Sequence, residues 1–111
     1  MAHKIMFTLH FNDALSVEEK RDRWRKHADV VKNIPEVKGY VQDYAVEPLP
    51  AESSAPKQWD AIGSVIFDDK QTADRVLASD AWAAVVADAQ DGGFVDFSQV
   101  LGAVIDTEQP I

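Results

Sequence analysis

The chain of 111 residues contains no cysteine. Disulfide bridges, thiolate metal sites, iron–sulfur clusters and a cysteine nucleophile are therefore excluded. Its apolar runs also fall far short of the roughly 20 residues that a membrane-spanning helix needs. The first residues enter an alternating segment directly, without the apolar core of a signal peptide. Because small secreted domains often depend on disulfides, we expect a cytoplasmic protein with no membrane partner.

Basic residues are also scarce, since 11 Lys and Arg stand against 19 Asp and Glu, for a net charge of −8. Nucleic-acid binding depends on clustered Lys and Arg that neutralise phosphates, so we expect no nucleic-acid partner. The one basic cluster, residues 20–27, is mixed with acidic residues at helical spacing and is typical of a solvated helix face. The excess of acid does not exclude an anionic ligand.

Motifs for nucleotide, phosphate and acyl-enzyme chemistry are missing as well. The sequence has no G-x-G-x-x-G, no P-loop and no nucleophile elbow. The three histidines, His3, His10 and His27, form none of the spacings H-x-H, H-x-x-x-H or H-E-x-x-H that metal sites favour. We therefore expect no metal and no other cofactor.

The composition itself is that of a globular protein, with 46% hydrophobic and 27% charged residues. The length is ordinary for one domain and too short for two independent cores. We predict a single domain over residues 1–111, of which residues 108–111 are a tail.

Alternation of apolar and polar residues predicts four strands. They are expected at residues 3–11, 37–47, 59–67 and 99–107. Between the second and third strands, residues 48–57 carry three prolines around two serines, a composition that supports neither ladder hydrogen bonds nor a helix. We predict a flexible loop there, which would act as a flap.

Two helical regions separate the strands. Ser16, followed three residues later by Glu19, is a capping-box pattern, and apolar residues at helical spacing continue to about Asn33. Residues 69–89 are also helical in pattern. A break is expected at residues 79–80, because serine and aspartate both favour helix caps.

The order strand, helix, strand, strand, helix, strand is the split βαβ arrangement. It predicts an α+β, ferredoxin-like βαββαβ fold, in which helices cover one face of a four-stranded antiparallel sheet. The second strand carries residues unsuited to solvent on both faces: Val41 and Ala45 on one, Tyr40, Tyr44 and Val46 on the other. One helical layer covers one face, so we expect a second copy of the chain to cover the other and form a homodimer.

Two segments resemble the EthD family of the dimeric α/β-barrel superfamily. They are residues 23–31, RWRKHADVV, and residues 34–42, IPEVKGYVQ. The family pattern is roughly Y/F-W-x-x-H-A-x-x-V followed by L-P-G-L-x-x-Y-V-Q-N-H. Residues 59–69 and 79–82 are similar to its third strand and to the segment before its last helix. The resemblance spans residues 4–107 and implies a dimeric α/β barrel with a small-molecule pocket.

The sequence departs from the family pattern at two places. Glu36 stands where the family has glycine, which we interpret as a difference in the turn. Asp43 and Tyr44 stand where the family has Asn-His. If the family histidine takes part in chemistry, this protein either uses Tyr44 in its place or does something else.

The resemblance also indicates His27 and Tyr40 as catalytic residues. Around residues 60–63 the chain is weakly similar to methylmuconolactone isomerases, whose helix histidine and strand tyrosine match these two positions. Imidazole is the usual acid–base group at neutral pH, and a phenol can hydrogen-bond to developing oxyanion charge. The alternative is structural: a helix histidine bonded to a backbone carbonyl, and a tyrosine that packs across strands.

Eight further residues are predicted to bind substrate, as ligand walls or polar contacts: Trp24, Gln42, Tyr44, Trp59, Val65, Phe67, Trp82 and His10. Trp24 lies three positions before His27 on the first helix, so the two project to neighbouring points on one face. Gln42 has the same strand parity as Tyr40. Aromatic residues at these spacings also suit an ordinary core, and packing is the competing interpretation.

These residues, together with the resemblance, predict a cofactor-independent enzyme that moves protons on a small, largely apolar or aromatic molecule bearing oxygen. Isomerisation, cyclisation, lyase chemistry and cofactor-free oxygenation are all compatible with them, as steps of aromatic or polyketide metabolism. The alternative is a non-catalytic accessory or ligand-binding homodimer of a degradative or biosynthetic pathway. The two differ in whether His27 and Tyr40 converge within hydrogen-bond reach in one closed cavity, which catalysis needs and packing does not.

Overall fold

The structure is a computed structural model that describes residues 2–47, 59–91 and 93–111. The predicted loop at 48–57 lies outside these residues. The described elements are, in chain order, β1 (His3–Leu9), α1 (Val17–Lys32), β2 (Gly39–Tyr44), β3 (Ala61–Phe67), α2 (Lys70–Leu77), α3 (Asp80–Asp91) and β4 (Leu101–Ile105). A 3₁₀ turn, Phe97–Gln99, precedes β4. Within this part of the chain, no helix combines the length and the apolar composition needed to cross a membrane.

The four strands form one antiparallel sheet in the order β2-β3-β1-β4. This order confirms the predicted ferredoxin-like fold. Ile5 of β1 pairs with Val65 of β3, which pairs on its other side with Tyr40 of β2, so these three side chains share one face. The helices pack on that face, where Ile5 and Val65 form a core cluster with Val31 of α1 and Val85 of α3.

Asp60 sets the ends of β1 and β3. Its backbone N–H donates to the Leu9 carbonyl (2.8 Å), and its carboxylate accepts the Phe11 N–H (2.8 Å). The Phe11 amide is thereby withdrawn from the β1–β3 ladder, and Phe11 forms an isolated bridge with Val95 instead. Both strands are therefore two residues shorter at this end than the alternation predicts.

Helix α1 begins with the predicted capping box. The Glu19 N–H donates to Ser16 Oγ (3.1 Å), and the Ser16 N–H donates to Glu19 Oε1 (3.2 Å). These hydrogen bonds, above all the one from the Ser16 backbone, hold the pKa of Glu19 below its ordinary value. The helix ends at Asn33 as predicted. Its buried residues recur at helical spacing: Trp24, His27, Ala28 and Val31.

The predicted break in the second helical region separates α2 from α3. The Ser79 hydroxyl donates to the Val76 carbonyl (2.5 Å) and accepts the Trp82 N–H (3.2 Å), so one side chain closes α2 and begins α3. The new helix direction brings α3 against α1. It also stacks Trp82 on Phe7 of β1, with ring centroids 6.2 Å apart.

The outer face of the sheet, which points away from the helices, is largely apolar. Side chains alternate along a strand, so residues that pair with Met6 share its face. These are Ser64 on β3, which pairs in turn with Val41 of β2, and Ala103 on β4. Val41 is 45% exposed, and Leu101, two residues before Ala103, is 72% exposed. The outer face thus presents large apolar side chains to solvent in the single chain.

Candidate functional site

A cavity of about 110 Å³ lies between the inner face of the sheet and helices α1 and α3. Its walls are mostly aromatic and aliphatic, and none of its described lining residues is Asp, Glu, Lys or Arg. Five of the ten predicted site residues line it: Trp24, His27, Tyr40, Val65 and Trp82. The predicted histidine and tyrosine therefore meet at one cavity, from a helix and from a strand.

His27 contributes the imidazole in the cavity wall. The residue is 7% exposed, since it lies on the buried stripe of α1. Its Nδ1 is 2.6 Å from Asp88 Oδ2 on α3, and the Phe94 ring lies edge-on with its centroid 5.5 Å away. Within the described residues Nε2 has no hydrogen-bond partner. One nitrogen is thus engaged by a carboxylate and the other is left for a ligand.

Tyr40 contributes the phenol. Its hydroxyl accepts a hydrogen bond from Gln42 Nε2 (3.4 Å), and the same Gln42 nitrogen donates to the Trp24 carbonyl at 2.6 Å. Gln42 is therefore a bridge between β2 and α1 rather than part of the cavity wall. Burial raises the pKa of Tyr40 above its ordinary value, although the hydrogen bonds from Gln42 and Trp24 oppose the shift. The hydroxyl remains a proton donor at neutral pH.

Gly63 of β3 provides space between these residues. A methyl group at this position would lie 3.5 Å from the Trp24 ring and 4.0 Å from the Tyr40 hydroxyl oxygen. These are ordinary van der Waals distances, so alanine fits here without a clash. The glycine consequently widens the cavity at the point where Trp24 and Tyr40 approach each other.

Besides Gln42, four predicted residues do not line the cavity. Phe67 has the same parity as Val65 but is fully buried in the core. Tyr44 packs edge-on against Trp24 (5.0 Å between centroids), and the Arg21 guanidinium lies 4.2 Å above its ring. Trp59 precedes β3 and is 38% exposed. The carbonyl of His10 accepts the Asp96 N–H (2.8 Å), and its side chain borders a separate surface pocket.

The part of the chain that the structure describes holds no cluster of three or more His, Asp or Glu side chains able to bind a metal ion. The His27–Asp88 pair supplies two possible metal ligands. Catalytic zinc sites commonly have three protein ligands.

The EthD domain model matches residues 12–98, which is most of the chain. The chain belongs to the EthD family. The match includes α1 with His27, β2 with Tyr40, and α3 with Asp88. The sequence has no match among curated proteins.

Three solved structures show how widely the fold of this EthD family member recurs. An EthD family protein from Bacillus halodurans is 13% identical, with a TM-score of 0.73 over 97% of this chain and 100% of that chain. A dimeric ferredoxin-like protein of unknown function from Thermobifida fusca is 13% identical (TM-score 0.65; 96% and 92% covered). SnoaB, a cofactor-independent oxygenase from Streptomyces nogalater, is 8% identical (TM-score 0.63; 99% and 96% covered). At these identities the likeness shows the fold.

Asp88 is the site residue that sequence reasoning missed. It lies three positions after Val85 and directly before Ala89, both buried, so helical spacing places it at the edge of the buried stripe of α3. An acidic residue at that edge of an alanine-rich helix was the available signal. Several wall residues were also missed, because they lie in or beside the segment between α3 and β4: Val95, Phe97 and Val100.

A titration of Tyr40 tests the polarity of the cavity. The chain has two tyrosines, so in a Tyr44→Phe variant the phenolate absorbance reports Tyr40 alone. Burial raises the pKa of Tyr40, so the midpoint of this absorbance change should lie above pH 10.0, the ordinary pKa of a tyrosine. The protonated phenol favours the fold, so its contribution to stability is complete below pH 10.0 and is lost as the pH rises through the folded pKa. Ionisation at the same pH in the native and the urea-unfolded variant would contradict this.

Proposed function

We propose that this EthD family member is a cofactor-independent enzyme that moves protons on a small, largely apolar molecule bearing oxygen. The observation that supports this is the meeting of His27 and Tyr40 at one apolar cavity. Among the described lining residues they are the two that titrate. A single base and a single phenol in an otherwise apolar pocket are typical of a site that handles one proton and one oxygen atom.

The two side chains have different roles in this proposal. His27 Nε2 accepts a proton from a carbon next to a carbonyl group, and the electron pair of the broken C–H bond moves onto the carbonyl oxygen. Tyr40 donates a hydrogen bond to this enolate oxygen. In a cavity without charged walls such a hydrogen bond is stronger than in water. Return of the proton from His27 to a different carbon completes an isomerisation.

The size of the cavity indicates a compact substrate. Its volume is about 110 Å³, and an engineered apolar cavity of roughly 150 Å³ binds benzene. The stacked rings of Phe7 and Trp82 form one wall, and Trp24 forms another. We therefore propose a substrate whose reacting part is a single ring bearing a carbonyl or hydroxyl group.

The cofactor-free character of the proposed reaction has two supports. The sequence contains no nucleotide, flavin or phosphate motif. The structural neighbour SnoaB is described as a cofactor-independent oxygenase, so the same fold hosts chemistry of this kind in another protein. The breakdown or synthesis of aromatic compounds is the metabolic setting that such a substrate suggests.

We further propose that two copies of the chain pair through the outer sheet face, in the cytoplasm. Large apolar side chains such as Leu101, 72% exposed, occupy this face. Burying them against an identical face removes them from water and satisfies two-fold symmetry. The Thermobifida fusca neighbour is described as dimeric. The absence of cysteine suits a reducing compartment.

Deuterium exchange into ring ketones tests the proposed activity. The protein is incubated with cyclohexanone or cyclohexenone in deuterium oxide, and the loss of the proton signals next to the carbonyl is followed by NMR. We expect exchange above the buffer rate. A Gly63→Ala variant should keep its melting temperature, because the added methyl group fits, but should bind the probes roughly tenfold more weakly.

Two results would contradict the proposal in different ways. Quenching of tryptophan fluorescence by the probes without exchange would favour the alternative, a non-catalytic ligand-binding homodimer. Equal probe binding by the wild type and by Gly63→Ala would show that the cavity is not where the ligand binds.

A further inference from the structure

The His27–Asp88 contact connects a buried residue of the cavity wall to a carboxylate that is partly exposed to solvent. The His27 side chain is 9% exposed and lines the cavity, whereas the Asp88 side chain is 43% exposed. Asp88 lies in a surface groove on the other side of the imidazole, together with residues of α1. The 2.6 Å distance between His27 Nδ1 and Asp88 Oδ2 is that of a strong, charge-assisted hydrogen bond.

The chemistry of this contact determines where the imidazole proton lies. A carboxylate can only accept a hydrogen bond, so the nitrogen that faces it must carry the proton. In a neutral imidazole the other nitrogen, Nε2, then holds a free electron pair. Without the carboxylate, either nitrogen could carry the proton, and a proton on Nε2 would leave no base toward the cavity.

We infer that Asp88 is a positioning residue, which holds His27 in the Nδ1–H tautomer and stabilises the imidazolium that forms when Nε2 takes a proton. The inference deepens the proposed function and depends on it for its catalytic meaning. Asp88 does not line the cavity, so it acts through His27 and not on the substrate.

The packing around His27 supports a single ring orientation. Phe94 lies edge-on to the imidazole (5.5 Å between centroids) and also belongs to the core cluster that contains Trp24. A half-turn of the ring about its bond to the chain would remove the hydrogen bond to Asp88. The aromatic contact and the carboxylate therefore favour the same arrangement, with Nδ1 toward the groove.

Four charged side chains of α1 line the groove beside Asp88: Glu19, Asp22, Arg23 and Lys26. On the cavity side the titratable neighbour of His27 is Tyr40. Lys26 is paired with Asp22 (3.0 Å). Asp88 is the acidic group in direct contact with the imidazole.

The test replaces Asp88 by asparagine, which has a similar shape but can donate as well as accept. In the wild type the nitrogen-15 shifts of the neutral His27 ring, assigned by comparison with His27→Ala, should report Nδ1–H. In Asp88→Asn we expect a shift toward the Nε2–H tautomer and a loss of about 10²-fold in kcat for ketone exchange, with KM unchanged. Asp88→Glu, which keeps the carboxylate, should recover part of the rate.

The matched control is Asp22→Asn, the same substitution in the same groove but away from His27; it should change neither the tautomer nor kcat. An Nε2–H signal in the wild type, or an unaltered tautomer in Asp88→Asn, would overturn the inference. If the wild type catalyses no exchange, the proposed function fails, whereas the tautomer measured in the same samples still decides whether Asp88 positions the ring.

Discussion

Replacing His27 by alanine is expected to lower the rate of deuterium exchange into a bound ring ketone by about 10²-fold or more. The substitution removes Nε2, the one nitrogen base among the described residues that line the cavity. Tyr40 cannot substitute for it, because burial raises the pKa of the phenol and keeps it protonated at neutral pH. The rate is measured by NMR under saturating cyclohexenone.

The controls separate loss of the base from loss of the fold. His3→Ala removes a histidine at the start of β1 that does not line the cavity, so its rate should equal that of the wild type. His27→Gln retains a polar side chain of similar size and serves if the alanine variant unfolds. An exchange rate that persists in a folded His27→Gln or His27→Ala variant would remove His27 from the mechanism.

Replacing Val41 by aspartate is expected to weaken the proposed dimer by at least about 10²-fold in dissociation constant. Val41 lies on the outer sheet face beside Ser64 and is 45% exposed in the single chain. A second copy on this face would bury the new carboxylate without a partner, which costs roughly 3–5 kcal/mol. Sedimentation velocity over a range of micromolar concentrations measures the effect.

Val17→Asp is the matched control for this experiment. Val17 is also an exposed valine (69%), but it lies at the first position of α1, where an acidic side chain interacts favourably with the helix dipole. We expect this variant to sediment like the wild type. A wild type that is monomeric at micromolar concentration, or two variants with the same dimer affinity, would contradict pairing through the outer sheet face.

The two experiments address connected properties of the fold. The sheet has one face for the cavity and one for the proposed partner, and adjacent residues of β2 serve both: Tyr40 points inward and Val41 outward. A change in oligomeric state without a change in exchange rate would show that each chain carries a complete site. A parallel loss of both would show that pairing supports the cavity through β2.

Much of the fold was predictable from local patterns in the amino-acid sequence. The capping box of Ser16 and Glu19, the break at Ser79 and the inward parity of Tyr40 all depend on residues within a few positions of one another. Helical spacing likewise placed Trp24 and His27 on the same buried stripe. Such short-range patterns are sufficient to predict the order of elements and the sheet, whereas the choice of His27 and Tyr40 for the site came from the family resemblance.

The tertiary structure decided which residues complete the site. His27 and Asp88 are 61 positions apart, and no local pattern pairs them. Parity predicted Phe67 and Tyr44 for the cavity, but packing placed the first in the core and the second against Trp24. Parity specifies the face of a sheet, whereas the boundary of a cavity depends on which helices and loops cover that face, and this is set by contacts between residues distant in the chain.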